Sequence, residues 1–391
     1  MRRRLIALAL VGAAIIVPTA SASPLGKALD YLSARQDPLT GVIGPSGATQ
    51  AADTAWVAMA VAAAGEQAVD WHGAGLTLND AVSELPADSI GNLLRLALAR
   101  RAAGSRDPDM ADTLMAQRTA DGGFGNAQLT SWGVLAFLAA AAPPADVRVT
   151  TAVAVLRGMQ LPDGGWGMSG ATQSDAVSTA TAIQALRATG VAPADPALAA
   201  ARNRLRALRD QGGTFARAAV PTAWAALAIR ALGERPDRGA WPLGGNALTA
   251  LAGLQQPDGG VRVSGRRPAS IFATAVAAMA FAGRPLPVAP GRIIASSRAP
   301  RIVRRTPADG DVVRGVLSVQ YADERGGTGI DPAATAISIN GVDFTRRARI
   351  TPYTMQIRAS ALPRGTLTVR ARVRDRAGHT TTATWSVVGA G

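Results

Sequence analysis

The sequence predicts a mainly α protein: a six-hairpin α/α toroid followed by a small C-terminal antiparallel β-sandwich. Three observations predict it. A turn carrying Asp-Gly-Gly and an aromatic residue recurs between a more polar helix and a very apolar one, as a repeat architecture requires. Hydrophobic residues make up 48% of the chain while aromatics are only 4%, so small residues dominate and helices can pack closely. Beyond residue 298 the apolar period changes from helical to strict alternation.

The first 22 residues read as an address. Met1 to Arg4 give a positive start, Leu5 to Val17 an apolar run, and Ala20-Ser21-Ala22 a small-residue cleavage pattern, the three parts of a secretory signal peptide. The apolar run would rise only about 20 Å as a helix, short of the roughly 30 Å hydrocarbon core, so export and not membrane anchoring is expected. The expected location is secreted or in the cell envelope, and no membrane-spanning segment is expected downstream.

The repeat unit occupies residues 23–283. Its clearest copies are Met159-Gln160-Leu161-Pro162-Asp163-Gly164-Gly165-Trp166, Gln117 to Asp121-Gly122-Gly123-Phe124, and Gln255-Gln256-Pro257-Asp258-Gly259-Gly260-Val261. Gln117, Gln160 and Gln255 lie 43 and 95 residues apart, which leaves room for one further copy between the last two. After each turn an alanine-rich helix opens on an aligned threonine: Thr54, Thr130, Thr179, Thr222 and Thr274. Gly65, Gly190 and Gly233 follow their threonines by the same interval, as helix stop signals do. Asp88 to Gly104 reads as a sixth apolar helix. More polar helices are expected near 25–36, 66–84, 107–118, 148–160, 195–209 and 244–256. Helices apolar all round lie inside and those with a polar face lie outside, so six inner helices ringed by six outer ones are expected.

The segment from Arg157-Gly158-Met159-Gln160 to Gly165-Trp166 resembles the QW repeat of the terpenoid cyclase and protein prenyltransferase family, with prenyltransferase and squalene oxidase repeats. The resemblance implies the α/α toroid of that family. It does not fix an activity, because the toroid also occurs in complement thioester domains and in cobalamin carriers.

Composition excludes much chemistry. There is no cysteine, so disulfides, thiolate-zinc sites, cysteine nucleophiles and thioesters are ruled out. His72 and His379 are the only imidazoles, too few for a multi-histidine metal site, and no cofactor or metal is expected. The D-x-D-D acid of the triterpene cyclases is missing. Asp107-Pro108-Asp109-Met110-Ala111-Asp112 is the nearest acidic cluster and reads as a helix cap. Asp121, Asp163 and Asp258 read as turn formers.

The remaining candidates share one rim of the expected ring. Asp53 and Asp175 stand at the start of inner helices; they are a pair of carboxylates for a cyclase-like or glycan-active enzyme, or simply N-caps. Trp56, Trp132 and Trp224 occupy equivalent positions two residues after the aligned threonines, and Trp166 lies in a turn leading to them. If they face the axis they offer stacking surfaces to a ligand; otherwise they are core.

Residues 284–298, opening Arg284-Pro285-Leu286-Pro287-Val288-Ala289-Pro290-Gly291, read as a proline-rich linker. Residues 299–391 alternate apolar and polar and carry turns at Asp309-Gly310, Gly326-Gly327, Asn340-Gly341 and Ala377-Gly378, the pattern of a sandwich. With Val373-Arg374-Asp375-Arg376-Ala377-Gly378 they resemble bacterial Ig-like modules, which implies a spacer or binding platform. Residues 298–391 hold fifteen basic against seven acidic groups, while 23–297 hold 23 against 20. The basic excess implies attraction to an anionic cell-envelope polymer, and nucleic acid is not expected as a partner.

The expected function is an exported, non-catalytic ligand-binding or surface-interaction protein. Its toroid takes a bulky small molecule or glycan through Asp53, Trp56, Trp132, Trp166, Asp175 and Trp224. The alternative is an enzyme using Asp53 and Asp175.

Overall fold

A computed structural model describes residues 23–72, 76–105, 107–265, 267–291, 298–324 and 327–389. The expected signal peptide falls outside the described residues. In chain order the helices are α1 (Pro24–Ser33), α2 (Gln50–Ala63), α3 (Leu78–Ser83), α4 (Ile90–Ala103), α5 (Met110–Ala116), α6 (Ala127–Ala139), α7 (Val147–Gly158), α8 (Ala176–Ala188), α9 (Pro196–Ala207), α10 (Ala219–Ala231), α11 (Ala247–Gly253) and α12 (Ile271–Ala282).

The even-numbered helices form a closed ring. α2 packs on α4, α4 on α6, α6 on α8, α8 on α10, α10 on α12, and α12 returns to α2. They are buried nearly all round, whereas outer α9 buries only the stripe Leu198, Ala201 and Leu205. Among the described residues of the polar segment expected over 66–84, the helical parts are a short 3₁₀ turn, Ala68–Asp70, and α3.

Two side chains explain the repeat. Each aligned threonine, buried, accepts from the backbone N–H of the turn's apolar residue: Thr54 from Ile43, Thr130 from Phe124, Thr179 from Trp166, Thr222 from Phe215 and Thr274 from Val261, at 2.9–3.1 Å. A turn that dives into the core would otherwise bury an unpaired amide, at a cost of about 1–3 kcal/mol. The glutamines join one repeat to the next. Gln160 Nε2 donates to Gly164 O of its own turn and to Ala197 O at the start of α9, at 2.8 and 2.9 Å. Gln255 does the same with Gly259 O and Pro24 O, both at 2.9 Å, and so ties the last repeat to the first. The turn aspartates act as expected, Asp163 Oδ1 accepting from Gly165 N at 3.0 Å. Gly65, with φ 86°, closes α2 in a Schellman arrangement: its N–H reaches Ala62 O and that of Glu66 reaches Val61 O.

The proline-rich segment is not a free connector over its first half. Leu286 and Val288 are buried in the toroid's own core, and Leu286 N donates to Gln184 Oε1 of α8 at 3.1 Å. Gly291 lies so close to Glu66 O that a Cβ would stand 2.2 Å from it, and a Cβ at Gly104, beyond α4, would stand 3.7 Å from Pro290. Residues 284–291 thus cross the C-terminal end of the inner ring.

The C-terminal strands are β1 (Arg301–Thr306), β2 (Val312–Val313), β3 (Val316–Ala322), β4 (Ala336–Ile339), β5 (Val342–Asp343), β6 (Arg349–Ile350), β7 (Thr354–Arg358), β8 (Gly365–Arg374) and β9 (Thr380–Gly389). They make two sheets, ordered β1-β3-β7-β6 and β2-β9-β8-β4-β5. Leu317, Val319, Ile357, Val369, Val373 and Trp385 lie in the apolar interior that the two sheets share. One pairing departs from the antiparallel expectation: β2 runs parallel to β9, because Val312 and Val313 pair with Val388 and Gly389. The β region touches the toroid through Tyr353, whose hydroxyl donates to Val69 O at 3.1 Å and whose ring lies 3.7 Å from that of His72. Burial, together with the nearby carboxylates of Asp70 and Asp80, pushes the Tyr353 phenol up to about 12.

Candidate functional site at the mouth of the ring

Trp56, Trp132 and Trp224 come from α2, α6 and α10, three alternate helices that are not neighbours in the ring. They meet nonetheless. The Trp56 ring lies 5.6 Å from those of both Trp132 and Trp224, at interplanar angles of 67° and 76°. Side chains from alternate helices can touch only across the axis, so the indoles face inward and fill it about halfway along the helices. All three are buried. Edge-to-face pairs of this kind add about 0.5–1.5 kcal/mol each beyond the area they bury. The two sequence readings, inward-facing and core, therefore both describe the same residues. The Trp132 indole N–H is buried without a hydrogen-bond partner among the described residues.

Above this layer lies a cleft of about 570 Å³ at the seam where the first repeat meets the last. Tyr31, Arg35, Thr49, Asp53, Ile271 and Phe272 line it. Phe272 is its floor: the ring stands 5.4 Å from Trp56 and joins the cleft to the axial aromatics. The sequence reading missed Phe272, which opens α12 two residues before the aligned Thr274 and not two after.

Asp53 is not the N-cap expected. α2 begins at Gln50, and Asp53 sits in the first turn with its N–H bonded to Thr49 O at 2.8 Å. Burial raises its pKa, against a hydrogen bond from Thr49 that lowers it. Beside it, burial also raises the Tyr31 phenol, and the Arg35 guanidinium lies 3.2 Å over the Tyr31 ring. The cleft thus combines an apolar floor with a carboxyl and a phenol that both resist ionisation.

The other candidates are placed elsewhere. Asp175 caps α8, accepting from Ser178 N at 2.8 Å and Ser178 Oγ at 2.7 Å, and is not among the residues lining the Asp53 cleft. The two carboxylates are therefore not brought together on one cavity. Trp166 is fully buried inside its own hairpin, its Nε1 donating to Leu156 O at 2.7 Å, which removes it from the rim set. In the acidic cluster, Asp107 pairs with Arg100 and Asp112 pairs with Arg148 at 2.8 Å, while Asp109 makes no side-chain cap bond, so the cluster ties repeats together more than it caps α5. His379 bonds Asp375 in the β region, 3.0 Å away, and His72 packs on Tyr353. Among the described residues no group of three or more His, Asp or Glu could hold a metal, and no helix is long and apolar enough to cross a membrane.

Residues 125–233 match the family described as Squalene-hopene cyclase N-terminal domain. A stretch of 64 residues is 45% identical to lanosterol synthase of Mus musculus, covering 16% of this chain and 8% of that enzyme. Among solved structures, ent-copalyl diphosphate synthase from Streptomyces platensis is similar at 18% identity, covering 62% of this chain and 52% of that one with a TM-score of 0.44. The type II terpene cyclase MstE from Scytonema is similar at 15% identity over 66% of this chain and 96% of that one, TM-score 0.35. The helical region is a terpenoid cyclase-type α/α toroid.

Proposed function

We infer that the chain is an exported, non-catalytic binding protein that takes a bulky apolar small molecule at the seam cleft. One observation carries this reading: the axis beneath the cleft is filled by Trp56, Trp132 and Trp224 packed edge to face. A cyclase needs an enclosed chamber to fold a long polyene around, whereas this arrangement leaves a shallow apolar seat. Phe272 and Ile271 supply the apolar contact, and the carboxyl of Asp53, whose pKa burial raises, is the polar group that orients a polar end of the ligand. Export rests on the positive start, apolar run and small-residue cleavage pattern of the first 22 residues.

The enzyme reading keeps one observation in its favour. Asp53 is a carboxyl held toward its protonated form in an apolar cleft, as a proton donor must be. It stands alone there, without Asp175, which argues against the two-carboxylate glycan chemistry.

The test uses geranylgeraniol as the probe, with calorimetric titration and product analysis on the same samples. Saturable binding that weakens in Phe272→Ala, with the probe recovered unchanged, is the expected result. Conversion to a cyclic product that stops in a folded Asp53→Asn variant would replace this reading with the enzyme.

A further inference from the structure

The outer face of the five-stranded sheet carries a line of like charge that nothing at the toroid mouth explains. β8 alternates strictly: Leu367, Val369, Ala371 and Val373 are buried, and Arg370, Arg372 and Arg374 are exposed on the opposite face. Successive arginines stand about 6.8 Å apart along an antiparallel strand, so the row is straight and evenly spaced. Hydroxyls flank it. The register sets Arg370 between Ser338 of β4 and Thr384 of β9, Arg372 beside Thr382, and Arg374 beside Thr380. Among the described residues no carboxylate forms an ion pair with any of the three. Two acidic residues stand near the row: Asp331, whose N–H bonds Arg374 O at 2.8 Å and whose carboxylate accepts from Ala333 N at 3.0 Å, and Asp343, one strand beyond Ser338, whose carboxylate accepts from Thr345 N at 2.8 Å.

Like charges on neighbouring positions of one strand repel each other, and among the described residues no ion pair offsets that repulsion. A partner of opposite charge does. Guanidinium groups bind phosphate oxygens in a fixed fork, and threonine and serine hydroxyls beside them can donate to the remaining oxygens. We propose that the Arg370-Arg372-Arg374 row, with its flanking hydroxyls, is a docking track for a flexible linear polyanion with repeating phosphates, lying along β8. A single bound phosphate would engage one arginine; a chain engages all three, and only a chain gains from their alignment. This track is independent of the seam cleft, and either can fail without the other.

The experiment measures binding of the full chain to long-chain inorganic polyphosphate over a salt series. It compares the wild type with Arg370→Gln/Arg372→Gln/Arg374→Gln and with a control that removes three exposed arginines elsewhere, Arg101→Gln/Arg217→Gln/Arg358→Gln. Thermal unfolding establishes that both variants fold, and because the substituted side chains are exposed, both are expected to melt with the wild type. The track variant is expected to lose about tenfold or more in affinity. It should also lose about 2 in the slope of log affinity against log salt, at about 0.7 per phosphate engaged. The control should lose much less of either. Equal losses in both variants would mean that net charge alone binds the polymer and would overturn the track. So would free phosphate competing as well as an equal phosphate concentration in polymer form, or duplex DNA binding more tightly than polyphosphate through the same three arginines.

Discussion

The two ends of the inner ring are built from the same six helices and finished differently. At the C-terminal end the chain closes the ring itself, with Leu286 and Val288 buried and Gly291 laid against Glu66 O. At the N-terminal end most inner helices are capped by side chains, Ser89, Asn126, Asp175 and Ser270 each accepting from a backbone N–H. α2 is an exception. Its N-cap Thr49 makes no side-chain cap bond, and the cleft opens beside it. The difference teaches that the ring is plugged along its axis while a cleft stays open at the seam where first and last repeats meet, and that the axial indoles set the depth of that cleft.

The largest expected effect comes from the layer that separates the two ends. Trp56→Ala removes the ring that touches Trp132, Trp224 and Phe272 together, and should cost about 3–5 kcal/mol in urea unfolding. A loss below about 1 kcal/mol would mean that the layer is loose and the axis open to ligand. At the closed end, Leu286→Ala should cost about 2–5 kcal/mol, as for a buried leucine elsewhere in a core. If it melts with the wild type, residues 284–291 are a passive connector and the two ends are alike.

A smaller effect is expected in the repeat itself. Thr179→Val leaves the buried Trp166 N–H without its acceptor and should cost about 1–3 kcal/mol, whereas Thr179→Ser retains the hydroxyl and should recover most of it.

The smallest effect reports on the open end. Because burial raises the Asp53 pKa in the folded state, its contribution to stability is fully present below the unfolded carboxyl value of about 3.9 and is lost as pH rises through the folded value. Asp53→Asn should therefore gain on the wild type in melting temperature as pH goes from 3 to 7. A difference that does not change with pH would show that Asp53 is solvated and that the cleft lacks its apolar character.

Much of the ring was legible in the sequence because a repeat writes its constraints several times. The aligned threonines and the glutamines stood out by position, although their work, accepting a buried turn amide and bridging to the next outer helix, needs three dimensions to see. What escaped were features that occur once. Phe272 lies outside the aligned tryptophan position, so alignment by repeat passed over it. Leu286 and Val288 were hidden by the prolines around them, yet their i, i+2 spacing in an extended proline-rich segment was a signal of a buried strip. Asp53 was read as a cap because the aligned helices start close to that position, but α2 starts at Gln50. Asp175, with a serine three residues on, does cap its helix.

Backbone hydrogen exchange of the full chain, with and without saturating geranylgeraniol, tests most directly which end of the ring is the seat. Protection is expected to rise in residues 44–53 and 269–274, which border the cleft, and to stay unchanged in 284–291. Protection gained over 284–291 and the C-terminal ends of the inner helices, with none at the seam, would contradict the account.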